Sequence, residues 1–305
     1  MATHLPHMSK SYDFKVVEFP NGSIEIRLYD KPICELSVEE CGKRQAKIER
    51  TIKRRIAMAL PKCDEFIPFE DDVCEVLNIN YLEDYELTEE MRKRKNARNS
   101  YRRTVNKIHD LARCEEWTMF YTLTFSQDVV DREDFGACMK KARKWFDNVR
   151  QRKAKDLKYL IVPELHADKK SWHIHGLVCN DDGISYVDSG KRDKHGKVIY
   201  NVENYKFGFS TATRIDDSHK VSSYILKYIT KDLCERSLGQ NRYFRSNNLQ
   251  EPKVTQLLSS ELFSNGYIHD LDNLEMILSS FGCDEITRIK KVSSEFCSVT
   301  YINAD

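Results

Sequence analysis

The chain has 305 residues, 40% hydrophobic and 32% charged, with 49 Lys/Arg against 48 Asp/Glu. That length suits one large domain or two modest ones. No apolar run approaches the ~18 residues of a membrane helix, and residues 1–10 carry no apolar stretch of a secretory signal. Ten cysteines lie scattered without a C-x-x-C pair, which argues against a zinc finger and for reduced thiols in a cytosol.

The net charge of +1 hides a sharp local division. Residues 12–30 read as a hairpin, with strand-like Phe14–Val17 and Ile24–Leu28 on either side of an Asn21-Gly22 turn. Residues 35–60 have helical character. From Asp64 to Glu90 there are eleven acidic residues and no Lys or Arg. From Arg92 to Arg113 there are nine Lys/Arg and one Asp. A basic helix over 92–115 is a candidate nucleic-acid face through Arg92, Lys93, Arg94, Lys95, Arg98, Arg102, Arg103 and Lys107. Taken alone, the same pattern also describes a solvated helix. The charge reversal puts a boundary near residue 90.

Alternating elements follow. Thr118–Phe125 is a strand by its aromatic and β-branched content. Arg132–Arg152 is a helix, with apolar residues at Phe135, Met139, Ala142, Trp145/Phe146 and Val149. Lys158–Leu165 and Ser171–Cys179 are strands joined by a link short enough for an antiparallel pair. A polar hairpin runs to about Glu203, Phe207–Ile215 is a further strand, and His219–Glu235 is a helix. The order predicts an α+β fold, with a central antiparallel sheet carrying helices on one face and leaving the other open. Along the chain this gives an N-terminal region 1–90, a central domain 91–255 and a C-terminal extension 256–305.

The chemistry concentrates in Trp172-His173-Ile174-His175-Gly176. Strand residues i and i+2 share a face, so His173 and His175 point together; Ile174 and Leu177 are assigned to the opposite face or the core. Glu164 ends the preceding strand, and a hairpin brings it beside His173. Two imidazoles and a carboxylate can hold Mg²⁺ or Mn²⁺ and leave positions open for a phosphate oxygen. An H-x-H alone is also the pattern of two surface histidines. His166, nearer the turn, is expected at the surface. Downstream, Val221, Ile225, Ile229 and Leu233 form an i, i+4 core stripe. Tyr224 and Tyr228 fall at its edge, and Lys227 and Lys231 each follow a tyrosine by three residues. A lysine or metal nearby favours the phenolate, and an activated tyrosine can link covalently to DNA. The helix alone also fits ordinary packing with snorkelling lysines. Thr122 and Thr124 are read as scaffold near the site. No phosphate-binding loop is present, since Gly190 to Val198 has the wrong spacing.

The ordered set Phe120-Tyr-Thr-Leu-Thr-Phe125, Glu164…His173-Ile-His175 and Tyr224-Ile-Leu-Lys-Tyr228-Ile-Thr-Lys231 resembles the HUH-endonuclease rolling-circle replication initiators. These serve small single-stranded DNA phages and plasmids. The resemblance spans roughly 92–255 and extends to Arg242-Tyr243-Phe244 up to Pro252. It implies an HUH/Rep-type, ferredoxin/RRM-like sheet with the tyrosine helix laid across it. It further implies nicking of single-stranded or locally melted origin DNA and a 5′-phosphotyrosyl link through Tyr228 or Tyr224. Lys227 or Lys231 would assist, and His173, His175 and Glu164 would hold the metal. Host helicase and polymerase are the implied partners, in the cytoplasm of a bacterial host. A relaxase or single-strand transposase would share this chemistry. A DNA-binding module that has lost catalysis would share only the sheet.

Overall fold

The computed structural model describes residues 11–34, 100–216, 224–228, 241–263, 271–283, 285–293 and 298–305. The 35–60 helix, the acidic stretch, Arg92, Lys93, Arg94, Lys95, Arg98 and Lys231 lie outside the described residues. Among the described residues, no helix is long and apolar enough to cross a membrane. The chain forms α+β structure with two antiparallel sheets in two compact units.

The larger unit holds helix α1 (100–112) and strand β3 (Met119–Thr124). Helix α2 (Phe135–Arg152) follows, then β4 (Lys158–Leu165), β5 (Trp172–Cys179), β6 (Tyr186–Arg192), β7 (Val198–Val202), β8 (Ser210–Arg214) and the short β9 (Phe244–Arg245). Its sheet has the order β6-β7-β8-β3-β5-β4-β9, every pair antiparallel. β4 and β5 form the expected hairpin, and the polar segment after β5 is the β6–β7 hairpin. β3 is rich in aromatic and β-branched residues, which fit a pleated, half-buried surface.

α2 buries Cys138, Met139, Ala142, Trp145, Phe146 and Val149, a three-to-four-residue recurrence on one helix face. It starts at Phe135 because the Asp134 carboxylate accepts the Ala137 N–H at 3.0 Å. Phe146 stacks on Tyr159 at 4.2 Å, and Phe135 packs edge-on against Trp172 at 4.8 Å. Tyr159 and Trp172 alternate in parity with Glu164 and His173 on the same strands. α2 therefore covers the sheet face opposite the histidine–glutamate set.

The other unit joins strands from both ends of the described chain: β1 (Ser11–Glu18), β2 (Ile24–Cys34), β10 (Lys253–Leu257), β11 (Ile286–Ser293) and β12 (Ser298–Ala304). They form a sheet of order β10-β1-β2-β12-β11. The β1–β2 turn holds Gly22 at φ 88°, a left-handed conformation that glycine adopts without steric cost. Helices α3 (Ser259–Leu262) and α4 (Leu271–Ser280) belong to this unit. Its core joins Phe14, Val16, Ile24, Ile26 and Leu28 to Leu274, Ile277 and Leu278 of α4. The sequence division at 90 and 255 runs along the chain. In three dimensions its first and last segments share this second sheet, which sequence reading did not foresee.

Candidate metal centre and tyrosine pair

Register assembles the site. Glu164 of β4 and Thr124 of β3 both lie opposite His173 of β5. One pair further along, Val162 and Thr122 lie opposite His175. The Glu164 Oε2 is 2.8 Å from His173 Nε2 and 2.9 Å from His175 Nε2, and the two Nε2 atoms are 3.1 Å apart. Cis ligands of an octahedral ion at ~2.1 Å are about 3.0 Å apart. The three atoms thus stand at the mutual spacing a small divalent cation demands, and their donor types suit Mg²⁺ or Mn²⁺. His166 is exposed, with its ring 5.6 Å from that of His173.

The site's electrostatics follow from this packing. Burial pushes the Glu164 carboxyl up, but hydrogen bonds to His173 and His175, and their charges, outweigh it and bring it down to about 2. Burial and the His173 charge lower the His175 imidazole, against the opposing pull of Glu164. The neutral imidazole is the form that ligates a metal. Thr122 Oγ1 sits 3.1 Å from His175 Nδ1, the ring nitrogen turned away from Glu164. That contact fixes the ring so that Nε2 faces the cluster. Leu177, assigned to the opposite face or the core, is fully buried; its parity matches the histidines, and it lies opposite Phe120 and Leu160.

The described part of the tyrosine segment is one helical turn, 224–228. Ile225 is fully buried, as its stripe position predicts. The Tyr228 ring stacks on His175 with centroids 3.5 Å apart and planes 20° apart. Its hydroxyl donates to the Tyr224 hydroxyl at 2.9 Å. Tyr224 is 41% exposed, so of the two phenols Tyr228 is held closer to the metal ligands. Phe120 of β3 carries both, 4.9 Å from the Tyr224 ring and 5.7 Å from the Tyr228 ring. Burial, the hydrogen bond and charge of Tyr224, and the Glu164 carboxylate push the Tyr228 phenol up, keeping it protonated at neutral pH. Lys227 places its Nζ 4.8 Å over the Tyr224 ring.

Two contributors escaped sequence reading. Phe120 was quoted only as part of a motif, yet it is the platform for both tyrosines. Phe209, 57% exposed, extends the Thr124–His173–Glu164 row across the sheet, because its carbonyl accepts both the Thr124 N–H and the Thr124 hydroxyl. Strand parity marks both residues once register is known. In the basic segment, Arg102 and Arg103 are exposed on α1, while Lys107 is paired with Glu251 at 2.8 Å.

With the triad and tyrosines in place, the comparison falls on the same residues. Residues 118–233 match the family model of the replication-associated protein ORF2. The match supports a replication-initiator family and takes in Glu164, both histidines and both tyrosines. No curated protein and no solved structure matches the chain.

Proposed function

We propose that this chain starts rolling-circle replication by nicking single-stranded origin DNA through a tyrosine. The observation that carries the reading is the Tyr228 ring stacked on His175, within a carboxylate–imidazole cluster of cation-binding spacing. Glu164, His173 and His175 would hold Mg²⁺ or Mn²⁺. The bound cation would supply positive charge to a phosphoryl group as it becomes pentavalent.

The chain's own groups perform the rest. The stack on His175 and Phe120 fixes the Tyr228 ring before substrate arrives, which lowers the entropic cost of attack. The Tyr228 oxygen bonds to phosphorus, and its proton leaves through the Tyr224 hydroxyl, to which it is already donated. The bond from phosphorus to the 3′ oxygen breaks, and that oxygen takes a proton from solvent. The products are a 5′-phosphotyrosyl link and a free 3′ hydroxyl that a host polymerase can extend. Tyr224, one turn away, is the second nucleophile for rejoining.

Incubation with a single-stranded origin library and Mn²⁺, followed by mapping of protein–DNA adducts, tests the reading. The expected adduct is at Tyr228. Full nicking by a His173→Ala/His175→Ala variant in chelator would overturn it.

A further inference from the structure

We infer a second nucleic-acid site on the back of the catalytic unit, a groove that takes single-stranded nucleic acid without regard to sequence. It lies between the exposed flank of α2 and β9, with a volume of about 680 Å³. An adjoining hollow of about 460 Å³ shares Arg143, Asn241 and Phe244 and adds Arg150. Lys140, Arg143 and Lys144 are exposed on successive turns of α2. None of the three has an ion-pair partner among the described residues.

The groove pairs charge with an aromatic face. The Arg143 guanidinium stands 5.7 Å over the half-buried Phe244 ring. Arg150 is oriented by Asn247 at 2.8 Å, a neutral partner that positions the guanidinium without cancelling its charge. Asp147 is the one acid lining either hollow among the described residues. Cations at one-turn intervals of ~5.4 Å form a track for phosphates, and an aromatic ring among them is a stacking platform for a base. That combination is how proteins hold single strands irrespective of sequence. An acidic protein partner would use the cations but not the ring.

Position makes this a separate site. α2 covers the face opposite Glu164 and His173, and Phe244 lies opposite Ile161, whose parity differs from that of Glu164. A strand in the groove is therefore not the strand at the tyrosines. The inference does not depend on the nicking chemistry.

The test is fluorescence anisotropy of a labelled ~20-nucleotide oligo-dT across a salt series. Proteins compared are the full chain, a Lys140→Gln/Arg143→Gln/Lys144→Gln variant, a Phe244→Leu variant and the His173→Ala/His175→Ala variant. Three lost phosphate contacts should lower the slope of log affinity against log salt by about 2, at ~0.7 per contact. Binding near 0.1 M salt should fall about tenfold, with the melting temperature unchanged. Phe244→Leu should weaken binding about fivefold or more through lost stacking. The histidine variant should bind oligo-dT as the parent does, so failure of the metal centre and failure of the groove read out separately. An unchanged affinity and slope in the triple variant would overturn the inference. Displacement of the oligonucleotide by polyglutamate at equal charge concentration would overturn it as well.

Discussion

At the scale of single residues, the site is a set of side chains whose roles are separable. Tyr228 is stacked and half-buried, whereas Tyr224 is more exposed. Tyr228→Phe is expected to lose most first-strand nicking, and Tyr224→Phe to impair termination, when a second cleavage must release the first. Mass spectrometry of trapped adducts checks both, and an adduct only at Tyr224 would reverse the order. Thr122 holds the His175 ring from behind. Thr122→Val keeps the shape and removes that contact, so Mn²⁺ affinity measured by calorimetry should fall about 10- to 100-fold. Unaltered affinity would assign Thr122 to packing alone. The triad itself was legible because H-x-H fixes parity within a strand and a short hairpin brings Glu164 alongside. Phe120 and Phe209 were not, because their place depends on which strands flank β5, a pairing that no local pattern encodes.

At the scale of elements, local signals worked where the interaction is local. β4 runs over the expected residues, and β3, β5 and α2 are trimmed by one to three residues at their N-terminal ends. For α2 the reason is visible: Asp134 caps the helix two residues after the expected start. β11 and β12 were undetected as sheet partners, because β12 pairs with β2 across most of the chain, Ala304 lying opposite Ile24. The elements also carry a titration signature. Burial pushes the thiols of Cys138 in α2, Cys179 in β5 and Cys114 after α1 up to about 12, with nearby acids adding to it. An acid raised in the folded state contributes stability that is complete below its unfolded value, near 9, and is lost as pH rises toward 12. Melting temperature should therefore hold between pH 7 and 8.5 and decline above about 9. The same three thiols should resist iodoacetamide at pH 8 in the native protein and react on unfolding. Rapid native labelling at any of them would contradict their burial.

At the scale of the whole molecule, the catalytic unit is nearly continuous in sequence, taking 92–252 with only three residues from elsewhere, 19–21. The second sheet is assembled from both ends of the described chain. A fragment of residues 92–252 should fold with a cooperative melt and bind Mn²⁺ within about tenfold of the full chain; a fragment without cooperative unfolding would show that the second sheet is required. Deleting residues 286–305 should expose the Phe14–Ile26 core to dye binding while sparing Mn²⁺ affinity.

That interleaving also sets an order in time. During synthesis β1 and β2 emerge first, yet each waits for a partner encoded near the other end, β10 for one and β12 for the other. The contiguous catalytic unit has every strand of its sheet in hand before β10 leaves the ribosome. The nicking centre can thus mature first, and the closing sheet comes last, so a nascent chain cut short would carry a formed metal site beside two open strand edges. Such edges invite pairing between chains, and aggregation of prematurely terminated products, rather than their inactivity, becomes the cost this topology imposes on the cell.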